Sequence, residues 1–301
     1  MAGAIRKEEW IKEVQENLFP KFEKIKMGAT DDSIYLSNKT VHIPNTSAAG
    51  TITKNPSVLP LSVERGTDTE ITYDTAFWAM NPQLVMPTDM KQTSYDYMKA
   101  KVNDAVKGIP SRIAYDILLS WYADGTYKVN TSGTNFTAHA TAATGNRKGL
   151  TSNDILMAKK KLKLQNLEDE DIYLYVDEEM YSQLLVDLGI TTYRMAAIYD
   201  AEKGTLPGLH GVKLITFPQI AYLDSSDGAR TYGHAGATSD NAAALMVAKS
   251  CVSLAMSEVN VIINDNAPGY AGGTLIEGSM FSGGKYRRYD KKGVVPIIQT
   301  T

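Results

Sequence analysis

Apolar residues recur at helical spacing near the beginning of the chain. Within residues 4–26 they fall at three- and four-residue steps, at Ile11, Val14, Leu18, Phe22 and Ile25. This pattern predicts an amphipathic helix that Pro20 breaks or kinks, because its ring cannot continue a regular helix. One such helix has no core of its own, so we expect its apolar face to pack on another surface, such as a neighbouring subunit.

The longest helical pattern spans residues 93–123. One stripe at i+3 and i+4 spacing holds Met98, Val102, Ala105, Ile109, Ile113, Ile117 and Trp121. Pro110 lies within the stripe but does not change its phase, so we predict a single long helix with a bend. At a rise of about 1.5 Å per residue this helix would span roughly 45 Å.

Strict alternation of apolar and polar residues predicts a β-hairpin over residues 58–78. Leu59 and Leu61 begin the first strand, and the alternation resumes at Ile71 and Tyr73. The preceding residues 28–57 are polar and predict a long loop that contains a short extended piece at Thr40–Ile43. A hairpin alone is marginally stable in water, so we expect it to lie against a partner.

The second half of the chain mixes helical and strand patterns. We predict one helix capped by Ser152 and another capped by Asp177 that stops at Gly189. The predicted strands are Ile172–Val176, Val212–Phe217, a buried strand within 242–256, Val259–Ile263, Gly273–Ile276 and Val294–Ile298. Together the patterns predict an α+β fold.

Composition and charge narrow the functional classes. The 301 residues carry a net charge of −3. This charge disfavours tight nucleic-acid binding, which depends on clustered Lys and Arg. Cys251 is the single cysteine and can form no internal disulfide. The longest apolar stretch, 242–256, is interrupted by Lys249 and is too short to cross a membrane.

The sequence contains no recognisable catalytic, cofactor or metal motif. It has no G-x-G pair and no H-E-x-x-H, and its four histidines are scattered. The acidic run 168–171 is typical of a solvated turn. The one basic cluster holds Arg287, Arg288, Lys291 and Lys292, interleaved with tyrosines. We expect this cluster to form a charged strand face or a subunit contact, with a nucleic-acid patch as the alternative.

The order and spacing of these elements resembles the major capsid proteins of tailed bacteriophages, which have the Hong Kong 97-type shell fold. The amphipathic start looks like the N-terminal arm of that family. The stretch from Val41 to Asp74 looks like its extended loop, and Ser94–Asp96 looks like the start of its spine helix. Residues 150–181 resemble its axial domain, and Tyr286–Val295 resembles its closing strand.

The resemblance implies a division of the chain into the family's parts. These are an N-terminal arm at 1–45, an extended β-hairpin loop at 46–80, a peripheral domain with the spine helix at 81–125 and 260–301, and an axial α/β domain at 126–259. It also implies contacts between subunits, and the candidates are Trp10, Val14, Leu18, Leu59, Leu61, Glu64, Arg65, Asp68, Glu70, Ile71, Tyr73, Arg287 and Arg288.

The resemblance further implies a structural protein that is not an enzyme and needs no cofactor. Its copies would form the hexamers and pentamers of an icosahedral head enclosing double-stranded DNA, which would be confined rather than gripped. Because no long scaffolding segment precedes the arm, we expect either a mature form or a member that uses a separate scaffolding protein. The other expected partners are a portal protein and optionally a decoration protein. The head would assemble in the cytoplasm of the host bacterium, become part of the virion and involve no membrane.

Two alternatives from the sequence stay open at this point. An encapsulin-like compartment has the same fold and would enclose a cargo enzyme instead of a genome. An α/β enzyme with an unrecognised site would be favoured by a deep pocket that holds perturbed acids or histidines.

Overall fold

The structure is a computed structural model. It describes residues 23–37, 39–45, 52–57, 61, 63, 69–86, 109–122, 127–165, 167, 171–189, 206–258, 260–264, 269–270, 272–288 and 290–301. Predictions for residues 1–22 and 87–108 lie outside the described residues.

The part of the chain that the structure describes contains 18 strands and three α-helices, numbered here in chain order. The strands are β1 (Thr30–Asp31), β2 (Leu36–Ser37), β3 (Thr40–Asn45), β4 (Thr69–Asp74), β5 (Ala76–Ala79), β6 (Gln83–Val85), β7 (Val129–Asn130), β8 (Asn135–Thr137), β9 (Asn146–Lys148), β10 (Ile172–Asp177), β11 (Gly208–Leu209), β12 (Val212–Phe217), β13 (Ala221–Leu223), β14 (Asn241–Ala248), β15 (Val252–Met256), β16 (Asn260–Asn264), β17 (Thr274–Tyr286) and β18 (Val294–Ile298). The helices are α1 (Ile109–Trp121), α2 (Ser152–Lys163) and α3 (Glu178–Asp187).

A seven-stranded mixed sheet forms the larger of the two main layers. Its order is β11-β12-β10-β14-β18-β7, and β13 pairs with β14 beside this path. β10 and β12 are parallel, whereas β14 is antiparallel to β10 and β18. All six residues of β10 are buried, as expected for a strand with both faces covered.

Alternating residues of this sheet enter two different cores. Leu174 and Val176 face one core together with Ile155 of α2 and Met180 of α3. Tyr175 faces the other, which also receives α1 and the smaller sheet. Because successive side chains of β10 point to opposite faces of the sheet, this one strand contributes to both cores.

The six-stranded sheet is built around β17. This 13-residue strand pairs with β15 and β16 and also with β5 and β6, while β1 adds to β15. Within α1, the predicted stripe residues Ile113, Ile117 and Trp121 are fully buried in the core beneath this sheet. The indole N–H of Trp121 donates to the backbone oxygen of Ser253 at 2.8 Å, which fixes the helix to β15.

A small three-stranded sheet, β2-β3-β4, corrects the predicted hairpin. β4 pairs antiparallel with β3 from Thr40↔Asp74 to Asn45↔Thr69, whereas the alternation indicated residues 59–63 as its partner. Leu61 and Val63, both described, lie outside any strand. Thr40–Ile43 was correctly predicted as extended, but a pattern of period two does not name its partner.

The closing strand β18 lies in the larger sheet. Its register pairs Val294 with Val247 and Ile298 with Ala243. All five residues of β18 are buried, and the larger sheet offers the two covered faces that such a strand needs. Residues 260–301 therefore contribute strands to both main sheets, with β16 and β17 in the smaller one.

The helix caps agree with the sequence except for one shift. Asp177 caps α3 as predicted, accepting from the Met180 N–H at 2.7 Å. α2 is capped by Thr151 and not by Ser152, because Thr151 and Asp154 form a reciprocal capping box.

Candidate assembly surfaces and the carboxyl-edge cavity

Seven of the predicted subunit contacts lie outside the described residues, and their role stays a prediction. These residues are Trp10, Val14, Leu18, Leu59, Glu64, Arg65 and Asp68. Leu61 is described and is 54 % exposed. The Glu70 carboxylate of β4 lies within hydrogen-bond distance of the His42 ring across the β3–β4 ladder, and both side chains are half exposed.

Ile71 and Tyr73 pack inside their own subunit. They are 5 % and 8 % exposed, in a cluster with Val41, Ile43 and Ala255. The Tyr73 hydroxyl lies 2.7 Å from the Ser253 hydroxyl, and burial raises the pKa of Tyr73 to about 12. Little of either side chain is left for a second subunit, so both instead anchor β4 to β15.

Arg287 and Arg288 already have partners within the chain. The Arg287 Nε lies 3.2 Å from the buried carboxylate of Asp32, and Arg288 donates two hydrogen bonds of 2.9 Å to Asp290. This bidentate contact holds the pKa of Asp290 far below its ordinary value. The basic cluster is therefore partly neutralised by its own subunit.

Most of the large apolar side chains that are exposed to water are not residues that were predicted as subunit contacts. Ile52 and Val63, in the connection between β3 and β4, are 93 % and 97 % exposed. On the smaller sheet Phe77 of β5 is exposed and stands opposite Phe281 of β17, with 5.0 Å between ring centres. Met280 and Phe281 are adjacent apolar residues, and because neighbouring side chains of a strand point to opposite faces, this pair could have indicated the second apolar face of β17.

Polar side chains collect at the carboxyl edge, defined here as the side of the seven-stranded sheet where β10, β12 and β18 end and β14 begins. Asp177 accepts a 2.9 Å hydrogen bond from His139 there. Arg147, also at this edge, is buried and uses its N–H groups on oxygens of residues 144, 146, 238, 240 and 241. No spacing along the chain indicates that these residues meet.

Two cavities open at the carboxyl edge. The first cavity, of about 510 Å³, is lined by polar side chains. They include Lys128 and Asp227, which form an ion pair, and Arg147, whose N–H groups already have acceptors within the chain. The other, of about 300 Å³, is lined by Arg230, His234 and Asp240 among others. Among the described residues no group of three or more His, Cys, Asp or Glu could hold a metal ion. No described helix has the length and apolarity to span a membrane.

The chain is similar to known proteins in its three-dimensional structure. Neither protein-family models nor curated protein sequences match the chain. The solved capsid of Ralstonia phage GP4 is similar with a TM-score of 0.64 at 12 % identity, over 91 % of this chain and 87 % of that chain. The capsid of cyanophage P-SCSP1u is similar with a TM-score of 0.62 at 17 % identity, over 89 % and 85 %.

A third similar structure is a virus-like particle from Pyrococcus furiosus, with a TM-score of 0.51 at 11 % identity over 95 % of this chain and 98 % of that chain. In all three cases the similarity extends over most of each chain. The chain therefore has the α+β fold of the phage capsid subunits to which it is similar, in agreement with the shell fold that the resemblance implied.

Proposed function

We propose that the chain is the major capsid protein of a tailed bacteriophage and assembles into the hexamers and pentamers of an icosahedral head. The observation that carries the proposal is the similarity to phage capsids over about nine-tenths of this chain. A fold can serve several functions, so the proposal also needs surfaces suited to assembly.

The connection between β3 and β4 is such a surface. Its described apolar residues Ile52, Leu61 and Val63 have more than half of their area in contact with water. Burying a side chain of this size stabilises a contact by about 1.5–3 kcal/mol. Repeated around a closed symmetric shell, these modest contacts add up to a durable assembly.

The anchoring of β4 supports the same mechanism. Tyr73 and Ile71 hold the base of the three-stranded sheet on β15, so the connection starts from a rigid base. A rigid base lowers the entropy lost when the segment docks on a neighbour. Ile71 and Tyr73 therefore fix the base of the segment on β15, and the exposed residues between β3 and β4 are left to contact a neighbouring subunit.

The other partners follow from the proposed role. They are a separate scaffolding protein, a portal protein and optionally a decoration protein, with genomic DNA confined inside the head. The protein would belong to the virion after assembly in the cytoplasm of the host. Nothing in the proposed role requires catalysis.

Electron microscopy of the expressed chain tests the proposal. The chain is produced alone and together with a candidate scaffolding protein from the same source, purified, and imaged after size-exclusion chromatography. We expect closed shells or capsomers in at least one condition. A strictly monomeric protein at high concentration in both conditions would contradict the proposal.

A compartment shell is the second candidate function. The similarity to the virus-like particle covers 98 % of that chain, the largest share among the three structures described. Its test is the content of particles purified from the native source. Double-stranded DNA inside supports the phage head, and a co-purifying enzyme without DNA supports the compartment.

A further inference from the structure

Helix α2 exposes an apolar face that no described part of the chain covers. The opposite face of the helix packs in the core beside the seven-stranded sheet. On the exposed face Leu156 and Met157 keep 47 % and 43 % of their area in contact with water, and Leu164, directly after the helix, keeps 74 %. Apolar side chains that are scattered singly over a surface are ordinary, but three together on one side of a helix indicate an interaction surface.

Two lysines without partners lie among these apolar residues. Lys160 and Lys163 are exposed, and no described residue accepts a hydrogen bond from either ammonium group. By contrast Lys159 and Lys161 donate to backbone oxygens of their own subunit. The α2 face, which is therefore both apolar and positively charged, consists of Leu156, Met157, Lys160, Lys163 and Leu164.

The N-terminal segment has the complementary pattern in its sequence. Ile11, Val14 and Leu18 form the apolar stripe of the helix predicted there, and residues 8–18 contain four glutamates and one lysine. Three of the glutamates follow one another at four- and three-residue steps, which would place them on one side of that helix, at Glu9, Glu13 and Glu16. An amphipathic helix binds through apolar anchors at this spacing, and its acidic stripe matches the two lysines of the α2 face.

The place where the described chain begins indicates which copy supplies the segment. Residues 23–27 are helical, and Ile25 lies with Tyr175 in the core beneath the smaller sheet, whereas α2 packs on the opposite face of β10. Protein layers pack about 10 Å apart, so a passage from one side of the sheet to the other takes about 20 Å. Docking along α2 takes roughly 18 Å more, but residues 4–22 span only about 28 Å as a helix. The segment of the same copy is therefore too short, which favours a second copy.

We propose that residues 4–22 of one copy dock as an amphipathic helix on the α2 face of a neighbouring copy. Apolar residues of the segment cover those of the α2 face, and its glutamates lie beside Lys160 and Lys163. The inference rests on the proposed function and deepens it by giving the N-terminal segment a binding surface on the next subunit. Each copy offers one segment and one face, and such head-to-tail contacts can close into rings.

Disulfide trapping in the full-length chain tests the proposal. Cys251 is the single cysteine and is buried, so cysteines introduced at the surface can be followed without interference. Chains with Leu18→Cys or Val14→Cys are co-expressed with size-tagged chains that carry Leu164→Cys or Leu156→Cys, and are then oxidised. We expect a mixed disulfide dimer on a non-reducing gel. Its absence from all four combinations would overturn the proposal.

Two further chains test the face of the segment and the copy that supplies it. Lys12→Cys, on the opposite side of the predicted helix, should form the mixed dimer at least about fivefold more slowly than Leu18→Cys. A single chain that carries both Leu18→Cys and Leu164→Cys should form cross-linked multimers. A cross-link confined to the monomer would overturn the assignment to a neighbouring copy.

Charge reversal tests the ionic part of the contact. Lys160→Glu with Lys163→Glu, in the chain that carries Leu164→Cys, should lower the rate of trapping roughly tenfold, since two exposed ion pairs are replaced by like charges. Adding Glu9→Lys and Glu13→Lys to the other chain should restore the rate to within about threefold. An unchanged rate after the first reversal would contradict the proposal.

The matched control lies on the same helix. Lys159→Glu with Lys161→Glu changes the net charge by the same amount but leaves the α2 face intact, so the rate should stay within about twofold of the parent chain. Circular dichroism shows that each variant is folded before its rate is compared. Equal losses in the control and in the reversed face would show general repulsion and overturn the proposal.

Electron microscopy of the same samples separates this inference from the proposed function. Shells without a trapped dimer would overturn the inference alone, whereas a trapped dimer without shells or capsomers would support it and count against the phage head. Sedimentation with vesicles of anionic lipid tests the other occupant that suits a basic apolar helix. Vesicle binding that Lys160→Glu with Lys163→Glu abolishes, together with no trapped dimer, would assign the α2 face to a membrane and overturn the proposal.

Discussion

Single residues decide how the N-terminal segment is held on the body of the protein. Residues 23–27 are helical, and Ile25 is buried in the core beneath the smaller sheet. The Tyr175 hydroxyl donates to the Ile25 oxygen at 3.0 Å. A Cβ on Gly28 would overlap this hydroxyl. The contact therefore needs both a tyrosine in β10 and a glycine after the helix.

We predict that Gly28→Ala lowers the free energy of unfolding by about 1–3 kcal/mol, since the added methyl forces the Tyr175 ring to move. Tyr175→Phe alone should cost about 1 kcal/mol for the lost hydrogen bond. The double variant should lose clearly less than the sum, because the overlapping oxygen is gone. Urea unfolding of the four proteins gives the values, and simple additivity would contradict the steric account.

Buried tyrosines make stability sensitive to alkaline pH. Burial raises the pKa of Tyr73 to about 12 from its ordinary value of 10. Between these two values the unfolded chain loses the proton while the folded chain keeps it. The stabilisation is therefore complete below pH 10 and is lost as pH rises towards 12.

We predict that Tyr73→Phe reduces this dependence, by at most about 3 kcal/mol between pH 9 and 12, from about 1.4 kcal/mol per pKa unit. Urea unfolding of wild type and variant at pH 8, 9, 10 and 11 gives the two slopes. Parallel curves would show that Tyr73 ionises equally in both states. Below pH 9 the difference should be constant and reflect only the lost contact with Ser253.

At the scale of elements, caps and ladders hold the layers in register. Asp177 ends β10, begins α3 and contacts His139. It thus connects the larger sheet, a helix and the loop between β8 and β9 through a single carboxylate.

We predict that Asp177→Ala destabilises the protein by about 2–3 kcal/mol, because the N-cap bond and the contact with His139 are both lost. Asp177→Asn is the matched control, since it keeps an oxygen for the Met180 N–H and should cost only about 1 kcal/mol. Thermal unfolding monitored by circular dichroism measures both. Equal losses would show that the cap contributes nothing.

At the scale of the whole molecule, the described fold is closed over its two main cores, while the connection between β3 and β4 projects apolar residues into water. Surface substitutions in such a segment usually change stability by less than about 0.5 kcal/mol. Folding of the subunit and assembly of the shell should therefore be separable by mutation.

We predict that replacing residues 46–68 with Asn-Gly leaves a folded monomer that forms no shell. The paired ends Asn45 and Thr69 face each other in the ladder, and a two-residue turn closes such a ladder. Size-exclusion chromatography, circular dichroism and electron microscopy measure the outcome. The double variant Ile52→Ser with Val63→Ser keeps the length and should weaken assembly without lowering the melting temperature. Normal shells from both variants would contradict the proposed role of this segment.

Local patterns in the amino-acid sequence determined the positions of most elements. The buried stripe of α1, the strands β10, β12 and β18 and the cap Asp177 follow from spacing alone, because periodicity and capping act over a few residues. The order of elements also carried the resemblance to phage capsids, which the structural similarity confirms at the level of the fold.

Tertiary structure decided everything that depends on which distant segments meet. The partner of β4 is β3, the sheet of β18 is the larger one, and Ile71 and Tyr73 face inward. Arg230, His234 and Asp240 share a cavity only because loops converge at the carboxyl edge. A period of two says that a strand exists and has two faces, but its partner and the cover of each face are set by packing across the chain.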